Sequence, residues 1–193
     1  MTRRSISLLG VLAASWWIAA PTGWTHRLDE CLQAMRVNVA TDRLTLDLDL
    51  TPGASVAGQV LALLDLDADG EISATESVDY ARRLLRDVAV TLDGRGLSLH
   101  VVSADASPLA HLKSGDGRLR IRAHAGWDAL GTGTHVLDLT NRHLPSISVY
   151  LVNATKPADP ALLLGRQVRN PHQSEYRLEF TITRQDATDP SPP

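Results

Sequence analysis

The chain is short of several things at once. Its 193 residues include one cysteine, Cys31, so no intrachain disulfide can form. The formal net charge is only −3. No arginine-rich stripe with interleaved aromatics occurs, so nucleic acid is not an expected partner. No long apolar run follows residue 20, so no membrane span is expected in the remainder of the chain. A G-x-S-x-G turn, a phosphate-cradling glycine loop and an H-x-x-x-H spacing are all missing. Hydrolase and nucleotide chemistry therefore lack their usual signatures, and the chain reads as non-enzymatic. What remains is 44% hydrophobic and 21% charged, enough to build a core and unlike a disordered acidic polymer.

The first stretch is unlike the rest. Arg3 and Arg4 precede an apolar run from Ile6 to Ala20, followed by Pro21, Thr22 and Gly23. That run falls short of the roughly 20 residues a spanning helix needs. Basic, apolar and then small residues are the layout of a secretory signal peptide. Residues 1–25 are therefore expected to be a leader, cleaved after Ala20 or Thr25, and the product to be periplasmic or secreted. Asp29 and Glu30 precede Cys31 and argue against a lipid attachment site there. Cys31 instead reads as a half-buried strand residue.

Residues 26–185 read as one domain, and 186–193, rich in Asp, Thr, Ser and Pro, as a disordered tail. Cys31 to Ala40 and Leu44 to Leu50 suggest a hairpin. The second arm alternates strictly, with leucines inward and Thr45, Asp47 and Asp49 outward. Thr51-Pro52-Gly53 breaks the pattern. Val56, Val60, Leu63 and Leu64 then fall at helical spacing. Val78, Ala81, Leu85 and Val88 do the same after an acidic loop. Strand patterns return at Val88 to Leu92 and Leu97 to Val102, joined by Asp93-Gly94-Arg95-Gly96 as a turn. Residues 103–117 read as a loop. Further strands are expected at Leu119 to Ala123, His135 to Leu139, Ser146 to Asn153 and Tyr176 to Ile182. Seven or eight strands interrupted once by helices predict a mainly β fold, an immunoglobulin-like antiparallel β-sandwich with a helix-loop-helix inserted at 55–88.

The chemistry lies in that insert. Asp65, Asp67 and Asp69 place carboxylates at positions 1, 3 and 5 of a twelve-residue loop, and Gly70 permits a sharp turn at position 6. Glu71 offers its backbone carbonyl, Ser73 a hydroxyl directly or through water, and Glu76 a bidentate carboxylate at position 12. A hard cation that takes six to eight oxygens suits this set, and calcium suits it better than magnesium with its small octahedral shell. Ser73 and Glu76 also have capping-box spacing, so the same pair can start a helix. The loop resembles the EF-hand calcium loop at every diagnostic position.

No second loop of this kind follows. Asp138 to Asn141 lacks the glycine and the closing glutamate, and Asp186 to Asp189 runs into prolines. The unit is thus expected to pack on the β-domain rather than pair with another chain. Beyond the initiator, Met35 is the only methionine, which favours a structural role for the ion over a sensor with a methionine-rich groove. The seven histidines (His26, His100, His111, His124, His135, His143 and His172) show no short metal spacing. Those on different strands can still converge.

A broader resemblance rests on the order of hairpin, Thr51-Pro52-Gly53, helical insert, Leu92-Asp93-Gly94-Arg95 and Asn141-Arg142-His143. It is similar to bacterial exported EF-hand proteins and to the soluble periplasmic domain of some nickel/cobalt permease-type transporters. The resemblance implies calcium binding in the cell envelope with an envelope protein as partner. Its alternative implication is an accessory role in transition-metal handling. Transport itself would need membrane helices that the chain lacks after residue 20.

Overall fold

The computed structural model describes residues 28–128 and 130–183. The leader at 1–25, His26 and the tail at 186–193 lie outside the described residues. Two five-stranded sheets share one buried apolar cluster. The first sheet contains β1 (Cys31–Val39), β2 (Arg43–Pro52), β5 (His100–Ala106), β6 (Leu119–Gly126) and β8 (Ser148–Ala154), in the order β5-β6-β2-β1-β8. The second contains β3 (Val88–Leu92), β4 (Arg95–Leu97), β7 (Gly133–Asn141), β9 (Leu162–Arg169) and β10 (Glu175–Ile182), in the order β4-β3-β7-β10-β9. The pairing is antiparallel except between β1 and β8, which run parallel. The mainly β, two-sheet architecture expected from the alternation is therefore present, with ten strands among the described residues rather than seven or eight.

Period-2 patterning explains the elements that position the rest. Leu44, Leu46, Leu48 and Leu50 of β2 are all buried, opposite Val39, Val37, Met35 and Gln33 of β1. Each buried leucine contributes about 1.5–3 kcal/mol relative to exposure. The outward residues of β2 are tied across strands: Asp47 to Arg122 at 2.7 Å and Asp49 to Arg36 at 3.0 Å. Cys31 is fully buried rather than half-buried, because it sits on the inward face of β1 with Met35, Val37 and Val39. Burial pushes its thiol up to about 12, which leaves it protonated and unreactive.

Three local expectations are corrected. The turn after β3 has two residues, not four. Asp93 (φ 49°) and Gly94 (φ 78°) both adopt positive φ, the type I′ geometry whose twist suits a hairpin. Leu97 to Val102 is not one strand. β4 ends at Leu97, and β5 belongs to the other sheet. Residues 103–117 are not a loop throughout, since β5 runs to Ala106 and a helix α3 occupies Leu109–Ser114. Gly115 (φ 85°) ends that helix, and Gly117 lies so close that a Cβ there would sit 2.6 Å from the Leu112 nitrogen. β9 escaped the sequence reading because its alternation is broken near Gly165, where the pairing with β10 shifts register.

The helices α1 (Ala57–Leu64) and α2 (Ala74–Arg86) lie between β2 and β3. They thus form one of the crossings from the first sheet to the second. α1 buries Ala57, Val60, Leu61 and Leu64. α2 buries Ser77, Tyr80, Ala81 and Leu84, so its inward stripe is rotated from the expected Val78-Ala81-Leu85 face. The difference arises because Tyr80 buries its ring and finds a partner for its hydroxyl in His143, so it anchors the helix. No described helix is long and apolar enough to cross a membrane.

His135, near the start of β7, ties the β3–β4 turn down. Its Nδ1 lies 2.8 Å from Asp93 Oδ2 and its Nε2 lies 3.0 Å from the Gly131 carbonyl. Both partners only accept, so they favour the protonated ring, which donates from both nitrogens. Partial burial is the largest influence and opposes the charge. The Asp93 and Gly131 hydrogen bonds and the Asp93 charge together outweigh it and raise the pKa. A raised folded pKa gives stability that is complete below the unfolded value of about 6.5 and is lost as pH rises through the folded value. Melting temperatures measured against pH should therefore fall on the alkaline side in the wild type. His135→Gln should flatten that limb while leaving the acid limb in place.

Candidate metal centre and its anchor

The acidic loop runs between the end of α1 and the start of α2. Asp65 caps α1, its amide donating to the Leu61 carbonyl at 2.9 Å. Ser73 caps α2 through a complete capping box. Its hydroxyl accepts from the Glu76 amide at 3.1 Å, and the Glu76 carboxylate accepts from the Ser73 amide at 2.9 Å. Such a box is worth about 0.5–2 kcal/mol to the helix. Between the two caps the backbone folds by side-chain turns. The Asp69 amide donates to Asp67 Oδ1 (3.2 Å) and the Glu71 amide to Asp69 Oδ1 (2.8 Å). Ala68 (φ 58°) and Gly70 (φ 86°) supply the two left-handed positions that turn the chain back.

The loop brings together three of the six residues expected to hold an ion. One carboxylate oxygen each from Asp65, Asp67 and Glu76 lie within 4.8 Å of one another, the only group of three potential ligands among the described residues. Asp69 instead accepts from its own loop, Glu71 is exposed, and the Ser73 hydroxyl donates to Glu76 at 2.8 Å. Glu76 also accepts from the Leu66 amide at 2.8 Å, so it spans the loop from second to last position. The Ser73 amide, the Ser73 hydroxyl and the Leu66 amide, in that order, hold its carboxyl below the usual carboxylate range. Asp65 Oδ1 is the one buried side-chain oxygen among the described residues without any hydrogen-bond partner. An orphaned carboxylate oxygen is costly unless a cation or donor meets it. Oxygen-only donors, an orphaned anion and two converging carboxylates fit a hard divalent cation.

No protein-family model matches the chain, and no curated protein matches it. The reading of the site therefore rests on its own geometry.

The far end of α2 is held by a buried polar cluster that sequence reasoning missed. His143 follows β7 and is 2% exposed. Its Nδ1 lies 2.8 Å from Asp87 Oδ2, and its Nε2 lies 2.9 Å from the Tyr80 hydroxyl. The Asp87 carboxylate can only accept, so Nδ1 carries the proton and Nε2 accepts from Tyr80. Tyr80 lies in α2 and Asp87 caps its C-terminus, so one imidazole grips the helix at two points. The His143 carbonyl accepts from Gln33 (2.8 Å), Ser148 (3.1 Å) and Tyr150 (2.9 Å). Asn141 completes the cluster, donating to Gln33 Oε1 and accepting from the His143 amide. Asn141-Arg142-His143 stood out in the sequence as a pattern, but Gln33, Tyr80 and Asp87 lie more than 50 residues away from it and no local signal names them.

Burial is the main cause of the lowered His143 pKa, only partly offset by Asp87. A depressed folded value gives stability that is present above about pH 6.5 and lost as pH falls through the folded value. His143→Gln should therefore flatten the acid limb of the stability profile. Tyr80→Phe would strand Nε2 without a donor and should cost about 1–3 kcal/mol in urea unfolding. Tyr150→Phe should cost less, since the His143 carbonyl keeps two other donors.

Proposed function

We propose that the chain binds one calcium ion in an EF-hand loop, with Asp65, Asp67, Asp69, Ser73 and Glu76 as side-chain ligands and Glu71 contributing its carbonyl. The observation that carries this reading is the orphaned Asp65 oxygen beside the converging carboxylates of Asp67 and Glu76. Ion binding would draw Asp69 toward the other carboxylates and release Glu76 from part of its capping role. The role is structural: the ion neutralises the loop and locks α1 and α2 together at a crossing between the sheets. The apolar face of each helix already packs into the common core, which supports a unit that docks on its own domain. The basic-apolar-small pattern of residues 1–25 supports export to the periplasm or beyond, where an envelope protein is the partner class we infer.

Extracellular modules bind calcium at about 0.1–1 mM, so about 1 mM calcium should add roughly 0.4–1.4 kcal/mol. For a chain of this size that is a rise of about 1–5 °C in melting temperature. Calorimetric titration of the full-length chain should show one site, and Glu76→Gln should abolish both the heat and the melting shift. Asp65→Asn should act with opposite signs, raising the melting temperature in chelator by relieving the orphaned charge and lowering it in calcium. No heat and no shift at several millimolar calcium would refute the reading.

A further inference from the structure

We propose a second metal site of different chemistry: a cross-strand imidazole pair, His100 and His124, that binds a borderline divalent transition ion such as Cu2+ or Zn2+. His100 of β5 stands directly opposite His124 of β6 in the antiparallel register. Residues so paired point to the same face with Cβ atoms about 4.5–5.5 Å apart. The two ring centres are 5.8 Å apart and the ring planes are inclined at 41°. Both side chains are exposed, on the outer face of the first sheet.

The other described histidines differ in kind. His135 and His143 each have both nitrogens engaged. His111 lies in α3, and His172 in the segment between β9 and β10. His100 and His124 alone among them form a histidine–histidine ring pair, and neither ring hydrogen-bonds to a described residue. A metal at about 2.0–2.1 Å from one nitrogen of each ring would bring the ring centres to roughly 5 Å. Closing the ring centres from 5.8 Å to that separation takes under about 1 Å, and the ring rotation that aims one nitrogen of each at the ion is a motion exposed side chains make within nanoseconds. The strand irregularity beside the pair assists. Val101 faces Ala123 and Ser103 faces Arg122, so Val102 is an extra residue in β5. Such a bulge increases local twist and re-aims neighbouring side chains.

Ligand softness separates this pair from the acidic loop. Neutral imidazoles select copper, zinc and nickel, with Cu2+ highest in the affinity order, whereas calcium takes oxygen. Two protein ligands leave the remaining positions open to solvent, so the ion would exchange. Nearby cations are partly neutralised. Arg122 pairs with Asp47 at 2.7 Å, and Arg82, which borders the groove beside His100 together with Arg86, pairs with Asp79 at 2.7 Å. None of this depends on the calcium reading.

The test is Cu2+ titration of the full-length chain in excess calcium, by calorimetry and electron paramagnetic resonance. The wild type should bind with two imidazole nitrogens in the copper spectrum. Either His100→Gln or His124→Gln should weaken binding by roughly 100-fold through loss of chelation. The double variant should lose little more than either single one. His111→Gln and His172→Gln should leave the titration unchanged. Wild-type affinity in the double variant, a spectrum with one imidazole, or loss of binding in the control variants would overturn the proposal.

Discussion

Both nitrogens of one buried imidazole hold the helical crossing to the β-sheets. His143 has no water to turn to, so each of its polar atoms must find a protein partner. Tyr80 and Asp87 meet the ring, while Gln33, Ser148 and Tyr150 meet the carbonyl behind it. These residues come from β1, α2, the end of α2 and β8. A fault at the ring would therefore be felt in the first sheet, at the end of β7 that His143 follows, and in the helix that carries Glu76. The acidic loop has few apolar contacts of its own, so its shape depends on how firmly α2 is fixed at the opposite end.

The two titrating histidines show how the same side chain serves opposite ends. His135 is 15% exposed at the side chain and meets two acceptors, so the fold requires its proton. His143 is deeply buried, and burial disfavours a second proton on its ring. Stability is consequently drawn down in opposite directions of pH, by charge lost at one ring as pH rises and charge forced on the other as pH falls. Both effects follow from partner chemistry and solvent access rather than from residue type.

Much of the architecture was legible along the chain because the relevant forces are local. Alternating leucines in β2 can face one core only, and the glycines after Leu92 marked a turn there, though not its two-residue length. Ser73 and Glu76 are three residues apart, so their reciprocal capping needs nothing beyond the helix itself. The acidic loop was readable for the same reason, since twelve consecutive residues contain all its oxygens. Elements failed to show where periodicity had no length to develop, as in the six residues of α3. They also failed where a register shift interrupted it, as in β9.

The sequence by itself determined a β-rich chain, the place of the helical crossing and the set of oxygens offered by its loop. Spacing within a single turn or strand decides these things. Only the tertiary structure decided that β1 and β8 run parallel, that Tyr80 rather than Leu85 anchors α2, and that His143 lies between Tyr80 and Asp87. It alone set His100 opposite His124 and left Asp65 Oδ1 without a partner while Asp69 turned to its own backbone. Each of these depends on which distant strand lies alongside and on which atoms burial removes from water, and neither is written in local sequence.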